Sequence, residues 1–133
     1  MLSIAEVKES IIAYLKANVT ITSKLTDGAD EIRELQWQGT RFTYPNVRVR
    51  VRELQPFQEC GYSLMAGSIY VFSEDASSKE ADEIAGIIAN VLHATYFSSA
   101  GVANSLWITE LVPSVRQDER TWRAEVMIAG RVV

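Results

Sequence analysis

From Asn46 to Leu54 the chain alternates without a break, with Val47, Val49 and Val51 in one set and Arg48, Arg50 and Arg52 in the other. Successive side chains of an extended backbone point to opposite faces, so period two over this span predicts a half-buried strand. A strand of that kind cannot stand alone. It needs neighbours to complete its backbone hydrogen bonds and a further layer to cover the valines. The neighbours are legible. Residues 66–73, Ala-Gly-Ser-Ile-Tyr-Val-Phe-Ser, are rich in β-branched and aromatic residues and predict a second strand beside the first. Pro56 is expected to stop the first strand, and Cys60-Gly61 to lie in the turn between the two. Leu106 to Val115 and Thr121 to Val133 read as two more strands around the polar turn Gln117-Asp118-Glu119, an antiparallel hairpin.

The covering layer comes from two helices. Ser3 and Glu6 have capping-box spacing, and Ile4, Val7, Ile11 and Leu15 then recur at steps of three and four. Asn18 and the β-branched run Val19-Thr20-Ile21-Thr22 are expected to end this helix. Ser77 and Glu80 repeat the box. Ala81, Ile84, Ala85, Ile88, Val91, Leu92 and Thr95 follow as the apolar stripe of a helix of about 18 residues, with Lys79, Asp82, Glu83 and Asn90 on its wet side. The order α-β-β-α-β-β predicts an α+β fold: a mixed or antiparallel sheet of about four to five strands with two main helices packed on one face. At 133 residues the chain is expected to form a single domain, 1–133.

Residues 24–44 do not fit either period. Thr26-Asp27-Gly28 is turn chemistry, and Asp30, Glu31 and Glu34 make the stretch acidic. Ile32, Leu35 and Trp37 read as a short helix or an irregular strand. A connection of about 20 residues is long for a compact domain, and such segments are often functional arms. Ordering it is costly unless something packs on it, so Ile32, Leu35 and Trp37 are candidates for contact with a neighbouring molecule.

Signals for catalysis are sparse. The chain has one histidine, His93, and one cysteine, Cys60. His93 as a general base needs a nucleophile or an orienting carboxylate, and none stands at helical spacing. Cys60 as a nucleophile needs an electropositive pocket to lower its pKa. One Cys and one His cannot form a structural zinc site, and Asp27 to Glu31 lacks calcium-loop spacing. Gly-x-Gly phosphate cradles do not occur. The expectation is therefore no enzymatic activity, no cofactor and no metal. No run of about 18 apolar residues is present, so no transmembrane helix and no membrane partner are expected. The start, Met1-Leu2-Ser3-Ile4-Ala5-Glu6, lacks the basic and apolar regions of a signal peptide.

The net charge of −4 argues against a generic nucleic-acid binder, but it is unevenly spread. Residues 74–83 set Glu74, Asp75, Glu80, Asp82 and Glu83 against Lys79, and residues 41–53 set four arginines against Glu53. The Arg48/Arg50/Arg52 ladder has three readings: a solvated outer face, contact with acidic residues of a neighbouring subunit, or contact with nucleic-acid phosphates. Opposite charge on separate patches suits a head-to-tail contact between copies. Arg48, Arg50 and Arg52 with Glu74, Asp75, Glu80, Asp82 and Glu83 are therefore the candidate interface residues.

The layout as a whole resembles a known family. The "YPNVRVRVRE" strand with its Tyr44-Pro45-x-Val47 lead-in is one element of the likeness. The strand-to-helix run "GSIYVFSEDASSKEADEIAGIIANVLH", centred on Ala76 to Ala85, is a second. The turn Asp118 to Thr121 before the final strand is the third. Together they are similar to the tail terminator, or tail completion, proteins of long-tailed bacteriophages and prophages. The likeness covers nearly the whole chain through element order. It implies a non-enzymatic virion protein of the tail or neck, assembled in the host bacterial cytoplasm. Such a protein forms a homo-oligomeric ring, usually hexameric, that caps the tail tube, stops its polymerisation and meets head or neck connector proteins. DNA passes through such a ring without specific binding. The alternatives are another neck or head–tail connector component, or a small polyanion-binding domain using the arginine strand.

Overall fold

A computed structural model describes residues 2–39, 43–57 and 61–133. Helix α1 spans Ile4–Lys16, and the capping box forms as the spacing predicts: Ser3 Oγ accepts from the Glu6 N–H and Glu6 Oε1 accepts from the Ser3 N–H, each at 3.1 Å. The β-branched run that was expected only to end α1 instead makes a one-turn helix, α2 (Val19–Thr22), capped by Asn18 Oδ1 on the Ile21 N–H. A 3-10 turn at Gly28–Glu31 leads into β1 (Ile32–Glu34). The remaining elements are β2 (Asn46–Phe57), β3 (Tyr62–Ser73), α3 (Lys79–Leu92), β4 (Thr95–Ser99), β5 (Val102–Arg116) and β6 (Trp122–Val132).

The described residues form one six-stranded mixed sheet in the order β1-β2-β3-β6-β5-β4. Only β1 runs parallel to its neighbour. The α+β class holds, while the strand count exceeds the four to five expected. The additions are the two edges, β1 and β4. β1 belongs to the supposed arm, so residues 32–34 are held by this chain's own sheet. β4 runs from Thr95, which was read as the end of the second helix's apolar stripe, to Ser99. It turns into β5 through Ala100-Gly101, whose φ values of 49° and 79° make the paired left-handed conformation of a two-residue hairpin.

Period two decides which face is buried. Val47 and Val49 on β2, Ile69 and Val71 on β3, and Ala124, Val126 and Ile128 on β6 are paired across the strands and all lie in the core. Val7, Ile11 and Leu15 of α1 and Ala81, Ile84, Ala85, Ile88 and Leu92 of α3 complete that core, so both helices lie on one side of the sheet. Tyr14 of α1 stacks on Phe97 of β4 with ring centroids 3.8 Å apart, and Asn104 Nδ2 donates to Ser10 Oγ at 2.7 Å. The first contact pins the short edge strand to α1, and the second ties β5 beside it.

Three strand-level expectations change. β2 runs through Pro56 instead of stopping there, because β1 flanks only residues 47–49 and the missing N–H of Pro56 faces an edge with no ladder to complete. The alternation is interrupted at Arg52, the extra residue of a bulge between Val51 and Glu53. Gly67 lies opposite that bulge, where a Cβ would come within 2.5 Å of the Arg50 carbonyl oxygen. Helix α3 is shorter than expected and its Ser77/Glu80 box does not form. The N-cap is Ser78, and Glu80 Oε1 instead accepts from Ser73 Oγ at 2.7 Å. The Cys60 turn lies outside the described residues. Among the described residues no helix is long and apolar enough to cross a membrane.

Ala100 carries a side chain in a left-handed conformation that costs ordinary L-residues about 1–2 kcal/mol and that asparagine tolerates well. Ala100→Asn is expected to stabilise the chain by about 0.5–1 kcal/mol, raising the urea midpoint at an unchanged slope.

Candidate functional site

The three arginines of the ladder have different environments. Arg48 is buried, only 4% exposed. It lies on the helix-free face, paired with Arg33 on β1 and Tyr70 on β3. Its Nη1 donates to the Glu31 carbonyl at 2.7 Å and to the Val47 carbonyl at 3.0 Å, and its Nη2 stands 3.8 Å from Glu31 Oε2. Glu31, 2% exposed, is delivered by the 3-10 turn just before β1. The chain after β1 folds over this pair. The Arg33 guanidinium lies 3.6 Å from the centre of the Trp37 ring, and that of Arg48 lies 5.8 Å away. Burial pulls the Arg48 pKa below its ordinary value and Arg33 adds to the effect, while Glu31 and Tyr44 oppose it.

Beside Arg48 opens a cleft of about 170 Å³, lined by Leu35, Tyr44, Asn46, Phe72, Asp118 and Thr121 among others. The Tyr44 phenol is pushed above its usual range by burial first, then by Glu74 and Asp118, with Arg48 and a Thr121 hydrogen bond acting the other way. Asp118 organises the β5–β6 turn. Its Oδ1 accepts from the N–H groups of Arg120 and Thr121, both at 2.9 Å, and those bonds hold its carboxyl below the usual aspartate range. The cleft brings together a phenol, a carboxylate and a guanidinium but no thiol or imidazole. Among the described residues no group of three or more His, Cys, Asp or Glu is placed to hold a metal ion.

The acidic segment also divides. Glu80 is engaged with Ser73, and Asp82 Oδ1 accepts from the Ser114 N–H at 2.8 Å. Glu83 pairs loosely with Lys79 at 3.8 Å on the exposed face of α3. Glu74 and Asp75 sit exposed in the loop between β3 and α3. His93 closes α3, and its Nδ1 accepts from the Ile108 N–H at 3.1 Å. Thus His93 and Asp82, at the two ends of α3, satisfy backbone donors of β5 beyond its pairing with β4, and Pro113 between them has no donor.

Of the arm residues, Ile32 is fully buried in the core, Leu35 lines the Arg48 cleft and Trp37 lies over the arginines. Arg50 and Arg52 remain exposed, and the three ion pairs found among the described residues, Lys8–Glu34, Arg48–Glu31 and Lys79–Glu83, include neither. The structure brings Arg48 to Glu31, not to residues 74–83.

What the sequence reading missed is the rest of the face that Arg50 belongs to. On β6, Arg123, Glu125, Met127, Ala129 and Arg131 alternate with the core set and point away from the helices. Arg123 lies 5.5 Å from the Tyr70 ring and Arg131 lies 5.2 Å from the Tyr62 ring. Trp107 on β5, paired with Ala129, is 39% exposed on the same face. The signal was present in the alternation of residues 122–132, which has the same form as 46–54 but with mixed polarity on its second face.

No family model matches the chain, and no curated protein matches it. Among solved structures it is similar to a chain of the virion of a native gene transfer agent particle. The two share 14% identity with a TM-score of 0.76, over 99% of this chain and 98% of that one. At this identity the likeness is one of fold, and it runs end to end.

Two predictions concern the buried pair and the turn. Glu31→Ala leaves Arg48 charged and uncompensated and is expected to destabilise by about 3–5 kcal/mol, whereas the double change Glu31→Leu with Arg48→Met recovers most of the loss in a urea-unfolding cycle. For Asp118 the folded pKa is depressed, so its stabilisation is fully present above the unfolded value and is lost as pH falls through the folded one. The gap in urea midpoint between the native chain and Asp118→Ala should close on acidification into that window.

Proposed function

We propose that the chain is a structural component of a phage-type particle, and specifically its tail terminator. In this reading it forms a homo-oligomeric, hexameric ring that caps the tail tube, stops tube polymerisation and offers the opposite surface to head or neck connector proteins. The ring sits at the tail or neck of the virion after assembly in the bacterial cytoplasm, and DNA passes through it without specific binding. The observation that carries the reading is the full-length likeness in fold to a chain of a gene transfer agent virion. The element order and the Tyr44-Pro45-x-Val47 lead-in, which resemble tail terminators, support it.

The reading is non-enzymatic. His93 serves as a backbone acceptor for β5, and Arg48, the charged group that lines the cleft most deeply, is held by Glu31. A second reading within the same class, another neck or tube component, rests on the same likeness.

Electron microscopy of the purified chain mixed with tail-tube protein separates these readings. A terminator gives density at one tube end and shorter tubes when it is present during polymerisation. Stacking along the tube favours the tube component, and no binding to tubes sinks both.

A further inference from the structure

We propose that the cleft beside Arg48 is a binding site for a carboxamide, the group that ends a glutamine or asparagine side chain. The inference goes beyond the virion reading and does not depend on it.

Two neighbours on the helix-free face of β2 carry it. Asn46 and Arg48 stand at alternate positions of the strand, both line the cleft, and they are only 3% and 4% exposed. Each holds one buried polar atom with no hydrogen-bond partner, Oδ1 of Asn46 and Nη2 of Arg48. The Asn46 amide is oriented by its own contact. Its Nδ2 donates at 3.0 Å to the Thr43 carbonyl, which can only accept, so Oδ1 is the end left over. For Arg48 the Glu31 carboxylate balances the charge, but at 3.8 Å from Glu31 Oε2 the Nη2 hydrogens are beyond hydrogen-bond range. Buried polar groups are almost always paired, so two orphans bordering one space mark a place for a further group.

One acceptor and one donor together select the ligand. A carboxylate satisfies Arg48, leaves Asn46 Oδ1 without a donor and meets the Asp118 carboxylate that also lines the cleft. An ammonium or guanidinium satisfies Asn46 and sets a second cation beside Arg48. A carboxamide carries both halves on one planar group, a carbonyl for Nη2 and an N–H for Oδ1. Leu35, Phe72 and Tyr44 border the same space and suit the flat faces of an amide and the methylenes behind it. The volume of about 170 Å³ admits a group of that size, whereas one water takes only about 30 Å³. Neither orphaned atom is open to bulk solvent, so seating the amide takes side-chain rotations of the kind common on binding.

NMR titration of the folded chain tests this with propionamide, propionate, propylammonium and 1-propanol. Propionamide is expected to shift the Asn46 side-chain amide, the Arg48 guanidinium and the Thr121 N–H together and saturably. It should bind at least about tenfold more tightly than each of the other three probes. Its affinity should fall about 5- to 10-fold in Asn46→Ala, and as much in the uncharged double variant Glu31→Leu with Arg48→Met.

Blocked Ala-Gln-Ala and Ala-Ala-Ala peptides distinguish the sources of the amide. If the glutamine peptide alone binds, and at least as tightly as propionamide, the cleft takes a side chain of a protein partner. If neither peptide binds while propionamide does, it takes a free small amide. Equal binding of the two peptides overturns the proposal, as does binding of propionate, propylammonium or propanol as tight as that of propionamide. Unchanged affinity in both variants overturns it too, and the absence of a saturable shift with every probe assigns the cleft to water. All of these measurements concern the isolated chain, so their outcome is separable from the microscopy of tubes.

Discussion

Two amphipathic helices can cover one face of a six-stranded sheet and no more. That constraint organises the molecule. The valines of β2, the aliphatic residues of β3 and β6, and the stripes of α1 and α3 close on one another as a single core. Everything on the alternate positions of the same strands is left on the other side, where no helix lies. An antiparallel sheet tolerates such an arrangement if its second face is polar. Here that face is only partly polar. Arginines lie over tyrosines, and methionine, alanine and tryptophan fill the rows between them. A face of this kind is covered locally by the chain itself at one end and left open elsewhere.

The local cover is the segment running from the 3-10 turn to Trp37. By adding β1 parallel to β2, it brings Glu31 under Arg48 and Trp37 over Arg33. A buried charge pair of this sort adds little net stability compared with apolar residues of the same volume, but losing either partner is severe. Its effect is to fix where the edge segment sits. A strand of three residues has little pairing energy of its own, so the ion pair, the Lys8–Glu34 bridge from α1 and the burial of Ile32 hold it in register together.

The central elements were legible because each has one dominant period. The Val/Arg alternation gives β2, and the steps of three and four give α1 and α3. Where a segment answers to tertiary partners, the pattern says less. β4 begins at Thr95, which also stands at helical spacing from Val91, so the sequence favours extending α3. The structure instead ends α3 at Leu92, with His93 extended and Thr95 Oγ1 donating to the Val91 carbonyl. β1 is three residues set among acids, and its existence depends on β2 lying alongside. The alternation through Arg52 conceals a bulge, which is set by Gly67 on the facing strand. Likewise, nothing local distinguishes Arg48 from Arg50. The difference comes from Glu31, 17 residues earlier in the chain.

The sheet's edges bear on how copies of such a chain can meet. A long open edge invites pairing with any other strand and grows without limit. β2 beyond Val49 carries a bulge at Arg52 and a proline at 56, and β5 beyond Leu106 has its Ile108 and Ser114 N–H groups taken by His93 and Asp82, with a proline at 113. Strand addition is thus obstructed on the two longest free stretches. What stays open to a partner on the helix-free face is a set of side chains, not a backbone ladder.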